Sequence, residues 1–250
     1  VRSHAPSAAA EPSILLPVSF RDRLIATLHA LEPVLAVSGV MVVGSEVPNL
    51  LEPGGASTLV VSQDVDLAIP LAVHDAVKRA LRDVKGLRRS DPEPSVWIPE
   101  SDALIEANFL GMEPGAPRIG EAFVFEDAEL PLLVFGTLGV LEPGLRPDIE
   151  GVVVPLPSTA SLALEKLLTD RSGDKYDRDL LVVLGIMLTW APGDEDALLL
   201  REAVLDPVDR WTLRANLTAL SLLPDRVGMP EASAHRARIG MLLERLGRIV

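Results

Sequence analysis

The residues of this chain best equipped for chemistry are Asp64 and Asp66, which flank Val65 in an apolar run that continues through Leu67 and Ile69 to Pro70. Side chains of an extended strand alternate between its faces. Both carboxylates therefore point one way, and Val65, Leu67 and Ile69 point the other way, toward a core. Two carboxylates on one face repel unless a cation lies between them. Mg²⁺ is commonly held by one or two carboxylates together with substrate phosphates, so the pair reads as a site for a hard divalent ion. Upstream, a β-branched run stops at Gly44-Ser45. Gly44 removes a side chain where backbone must approach a ligand, and Ser45 offers a hydroxyl and an N–H to phosphate oxygens.

Gly-Ser, a spacer, then Asp-hydrophobic-Asp-hydrophobic resembles the signature of the polymerase-β-like nucleotidyltransferases. The longer pattern VVGSEVPNLL…SQDVDLAIP resembles more specifically the AbiEii-type nucleotidyltransferases, which include type IV abortive-infection toxins. The spacer is longer than is usual in that family, and the segment EPGGAS, Glu52 to Ser57, reads as an inserted turn. The resemblance implies transfer of a nucleoside monophosphate from an NTP to an acceptor hydroxyl. Asp64 and Asp66 would hold Mg²⁺, and Gly44 and Ser45 would hold the terminal phosphates. It also implies a tRNA end as a possible acceptor and a cognate antitoxin as a possible partner.

Further candidates lie downstream. Glu106, in the apolar stretch DALIEANFL, falls where polymerase-β-like transferases carry a third carboxylate; read on spacing alone it serves equally well as an exposed strand glutamate. The segment LEKLLTDRSGDKYDRDL continues the AbiEii-type resemblance through Lys166, Arg171, Lys175 and Asp179. Taken alone, Lys166 reads as a solvated lysine, and Lys175 with Asp179 as a helix-surface ion pair. Under the resemblance, Lys166 or Lys175 faces the triphosphate across a cleft. A basic stripe, Lys78, Arg82, Lys85 and Arg89 with Arg79 and Arg88 nearby, fits either a solvated helix face or a patch for tRNA.

The elements that must position these residues fall into two parts. Residues 1–17 read as a mobile tail without a signal-peptide core. Residues 18–156 read as an α/β (α+β) nucleotidyltransferase-type domain, a mixed sheet flanked by helices. Its expected elements are a helix over Val18 to Leu31, strands over Val34 to Val43 and Leu59 to Ile69, and a helix over Leu71 to Val84. Strands over Val96 to Pro99 and Asp102 to Leu110 follow, then a loop from Gly111 to Gly120. A hairpin within Ala122 to Phe135 and a last strand over Val152 to Leu156 complete the part. Residues 157–250 read as a helical domain, with helices over Ser158 to Asp170, Lys175 to Trp190, Glu195 to Leu205, Pro207 to Leu222 and Glu231 to Val250. Ser158 is its first N-cap.

Composition sets the outer bounds. With 48% apolar residues in 250, the chain can bury a core. It has no cysteine, which removes disulfides and thiolate metal sites. The four histidines share no ligand spacing, and there is no nucleophile elbow, Walker A or dinucleotide fingerprint. The longest apolar run, Leu180 to Ala191, is too short to span a bilayer, and the lack of cysteine is compatible with a reducing cytoplasm, where the protein is expected. A net charge of −13 opposes broad nucleic-acid binding but leaves room for a local basic patch. The same charge suits a second reading, a small-molecule transferase of the antibiotic-modifying kind acting on a cationic acceptor. A third reading is a binding protein that keeps the fold without activity.

Overall fold

A computed structural model describes residues 19–51, 64–116, 118–169, 174–225 and 232–248. The expected tail, the inserted turn at 52–57, the start of the second expected strand and Arg171 lie outside these residues. The fold is mixed α/β, a mixed sheet flanked by helices and followed by C-terminal helices.

The chain enters through α1 (Phe20–Ala30). Ser19 Oγ accepts the Asp22 N–H and the Asp22 carboxylate accepts the Ser19 N–H, a reciprocal cap for two orphan donors. The helix α2 (Glu32–Leu35) follows at once. Val34 and Leu35 were expected in a strand, but Pro33 sits in the first turn of this helix. Proline's missing N–H and fixed φ are harmless there. The first strand, β1 (Met41–Val43), is therefore only three residues long. It ends at Gly44, whose φ is +89°, and α3 (Val47–Leu51) comes next.

The centre of the sheet is β2 (Asp64–Pro70) beside β5 (Glu106–Met112). They pair in parallel along their whole length, from Asp64↔Glu106 to Pro70↔Met112. β1 lies antiparallel on the outer side of β2. The other edge of β5 is divided. Its first half pairs with β4 (Val96–Pro99), and its second half with β7 (Leu132–Phe135), which forms a hairpin with β6 (Ala122–Phe125). β3 (Leu87–Arg89) closes the far edge against β4. β5 starts and ends later than the pattern suggested. Gly111, expected in a loop, is a strand residue level with Ile69 and Val134. A Cβ on Gly111 would come within 2.6 Å of the Val134 side chain, so glycine lets β7 approach.

The helix expected over Leu71 to Val84 is a 3₁₀ turn (Leu71–Val73) followed by α4 (His74–Leu81). The chain then turns at Gly86, φ +78°, into β3, so Arg88 and Arg89 belong to a strand and not to a helix. The strand expected over Val152 to Leu156 shrinks to β9 (Val152–Val153), paired with β8 (Asp148–Ile149). Pro155 and Pro157 have no N–H to extend a ladder; instead the Pro155 carbonyl accepts the Val42 N–H of β1 at 2.9 Å.

The helical part begins at Ser158, which caps α5 (Thr159–Leu168) by accepting the Ser161 N–H. Residues 160–168 are all buried, as expected of a helix enclosed on every side. α6 (Asp174–Leu188), α7 (Asp194–Glu202) and α8 (Pro207–Leu222) pack around it, and α9 (Ala232–Arg248) packs on α7 and α8. One continuous apolar cluster runs from Leu24 in α1 to Leu246 in α9. Among the described residues no helix is long and apolar enough to cross a membrane.

One buried polar contact ties this scaffold to the start of β5. Thr27 Oγ1, fully buried in α1, donates to the Arg23 carbonyl at 2.8 Å and accepts the Ile105 N–H at 2.9 Å. Ile105 directly precedes Glu106. Thr27→Val keeps the shape but strands a buried N–H, so a loss of about 1–3 kcal/mol is expected, measured from denaturant midpoints. Thr27→Ser keeps the hydroxyl and should lose less.

Candidate functional site

The parallel register of β2 and β5 assembles the acids. Asp64 stands level with Glu106, and Asp66 level with Asn108. Levelled residues of adjacent strands share a face, so all four side chains leave the sheet together. Their alternates Val65, Leu67, Ala107 and Phe109 are fully buried on the opposite face. Asn108 Nδ2 donates to Asp64 Oδ2 at 2.8 Å and to Asp66 Oδ1 at 3.0 Å, so the two carboxylates converge on one point. Asn108 escaped the sequence reading. The signal was present, because Glu106-x-Asn108 repeats the spacing of Asp64-x-Asp66, but a neutral amide drew no attention beside an acid.

Gly44 closes the corner. A Cβ there would lie 2.6 Å from Asp66 Oδ2, at a φ unfavourable for any other residue. The expected role of this glycine, close approach, thus concerns the aspartate itself. Ser45 follows, half-buried, at the turn into α3.

Asp66 and Gly44 face a cleft of about 600 Å³ whose other walls include Glu121, Phe135, Glu165 and Lys166. The sheet and the first C-terminal helix therefore meet across it, with Lys166 on the wall opposite Asp66. Lys166 is not the solvated lysine that its position alone suggested. Its side chain is only 8% exposed, with Nζ 3.1 Å from Glu165 Oε2 and 4.0 Å from Asp179 Oδ1. Thr169 Oγ1 donates to Glu165 Oε1 at 2.9 Å. Glu165 and Thr169 are thus further members of this wall. Their mutual contacts are local to one helix, but their place on the cleft depends on α5 packing beside the sheet. The Lys175 side chain lies outside the described residues.

Glu106 is placed beside Asp64, as a third acid would be. Its carboxyl is held above the usual carboxylate range, first by burial and then by the charges of Asp64, Glu93 and Asp66. Among the described residues no three carboxylates or imidazoles gather tightly enough to cage an ion by themselves. The donor chemistry nevertheless suits Mg²⁺. Two hard carboxylates converge on the Asn108 amide, and one of them, Asp66, lines a cleft wide enough for phosphate oxygens to complete the shell.

The basic stripe does not form one surface. Lys78 Nζ is 2.7 Å from Asp127 and 3.2 Å from Asp75, and its hydrogen bond holds the Asp127 carboxyl well below its ordinary range. Arg89 donates to the Ala128 and Glu129 carbonyls. It pairs with Trp97, which lies on the same face as buried Ala107. Arg88 pairs with Ile98 instead, so alternation turns it, exposed, to the face that carries the acids.

The chain matches no model of a known protein family and no curated protein sequence.

Two outcomes test this geometry. A carboxyl with a raised folded pKa holds its proton more tightly when folded. Its stabilising contribution is present below the unfolded pKa and disappears as pH rises through the folded one. Glu106→Gln should therefore melt above wild type at neutral pH, and the gap should close as pH falls below the ordinary glutamate range; melting curves across pH decide it. For Lys166, removal takes a buried cation away from two buried carboxylates, Glu165 and Asp179. Lys166→Met is expected to lose about 3–5 kcal/mol in urea unfolding, with Glu165→Gln in the same chain restoring part.

Proposed function

We propose that this chain is a Mg²⁺-dependent, cytoplasmic nucleotidyltransferase that moves a nucleoside monophosphate from an NTP to an acceptor hydroxyl. The observation that carries the proposal is that Gly44, Asp66 and Lys166 line one cleft, with Asp64 joined to Asp66 through the Asn108 amide. Asp64 and Asp66 would hold Mg²⁺, which supplies neutralisation of phosphate charge when bound. The backbone N–H groups at Gly44 and Ser45, beside Asp66, would seat the terminal phosphates. Lys166 would set the positive end of the cleft, with Glu165 and Asp179 fixing its ammonium group. Phosphoryl transfer depends mostly on such positioning and electrostatics.

In the reaction the acceptor oxygen bonds to the α-phosphorus, the bond to pyrophosphate breaks, and the hydroxyl proton leaves. Glu106 is the residue for that proton. It stands level with Asp64 on the acid-bearing face of the sheet. The acceptor on this reading is a tRNA end, and a cognate antitoxin is the protein partner. Arg88, exposed on the acid-bearing face, is the member of the basic stripe best placed to meet an acceptor phosphate.

One observation favours a cationic small-molecule acceptor instead: among the described residues the cleft is lined by the acids Asp66, Glu121 and Glu165 and by one cation, Lys166. Incubation with Mg²⁺ and each labelled NTP, with and without total tRNA or aminoglycosides, separates the readings. Label is expected on tRNA. Label only on the small cations moves the activity to the second class, and no transfer to any acceptor leaves a binding protein. Asp66→Asn should lower transfer about 100-fold or more, the scale on which loss of one charge-stabilising group is felt.

A further inference from the structure

Asn108 has a chemical role at the acid pair that its neutrality conceals. Its nitrogen lies within hydrogen-bond distance of one oxygen from each aspartate, 2.8 Å from Asp64 and 3.0 Å from Asp66. A primary amide carries two N–H donors, so one group serves both carboxylates at once. The nitrogen, and not the carbonyl oxygen, must face them, because ionised carboxylates only accept. The amide thus places the positive end of a dipole between two like charges. A divalent ion shared by those oxygens would bind them at about 2.0–2.1 Å, well inside hydrogen-bond distance. It would also repel N–H groups aimed at the same point.

We infer that Asn108 is a positioning residue that competes with the divalent cation. Its amide holds the Asp64 and Asp66 carboxylates together when no cation bridges them, and releases them when one does. The inference rests on the reading that these carboxylates bind the metal. A contact made only in the cation-free form lowers apparent affinity for the ion, because binding must first give it up. Two hydrogen bonds to charged acceptors are enough for removal of the amide to tighten binding about tenfold.

The test is Mn²⁺ binding to the full chain, wild type against Asn108→Leu. Free Mn²⁺ is read by electron paramagnetic resonance, and melting temperature is followed in parallel. Expected are a lower melting temperature for the variant without metal and Mn²⁺ bound about tenfold more tightly. Equal or weaker binding by the variant, with wild type still binding, overturns the inference and leaves the metal reading intact. Binding by neither protein overturns both. Should the variant not fold, the wild-type protein decides alone. Mg²⁺ titration should shift the Asn108 side-chain amide resonances away from their hydrogen-bonded position, and resonances unmoved at saturation overturn the inference.

Discussion

The parallel ladder between β2 and β5 is the contact on which the candidate site depends. Side chains alternate with a period of two, so a slip of one residue in either strand would drive its acids into the core and its valine or phenylalanine into the cleft. Full burial of Val65, Leu67, Ala107 and Phe109 on the other face makes that slip costly. The Thr27 hydroxyl, bound to the Ile105 N–H immediately before β5, holds the strand's entry from the side of α1. The same apolar packing that stabilises the sheet therefore places Asp64 beside Glu106 and Asp66 beside Asn108.

Like charges gathered in this way need compensation, and the structure supplies two kinds. At the acid pair it is a dipole, the Asn108 amide. On the opposite wall it is a full charge, Lys166, between Glu165 and Asp179. The two differ in how readily they yield. An amide loses two hydrogen bonds by a rotation of its side chain. A buried ammonium in contact with two buried carboxylates is held more firmly, because moving it would break both contacts in a low-dielectric setting. The Lys166 contacts are made by buried side chains, whereas the aspartate pair is joined through a neutral amide.

The helical part also fixes one wall of the cleft. α5 is enclosed along its whole length by α6, α7, α8 and the 3₁₀ turn after β7, so the position of Lys166 is set by core packing. Thermodynamic stability and the charge pattern of the cleft thus share residues. A variant on this wall must be read for folding before it is read for chemistry.

Much was legible from residues alone. The alternation around Asp64 and Asp66, the apolar stretch around Glu106, the hairpin within 122–135 and the Ser158 cap each follow from local periodicity or local hydrogen-bonding chemistry, and each has a counterpart in the structure. Local rules failed where one residue type supports two conformations. Pro33 opens a helix as readily as it ends one, and Pro155 and Pro157 reduce the strand expected after Val153 to scattered backbone hydrogen bonds. Three matters were decided only by tertiary structure. One is that Asn108 meets both aspartates, which depends on a register between strands some forty residues apart. Another is that Lys166 is buried between two acids, which depends on how α6 packs against α5. The last is that Lys78 is bound to Asp127 while Arg88 shares the face of the acids. A sequence specifies which groups carry charge and how they alternate along one element, but the partner of each charge is set by packing between elements distant in the chain.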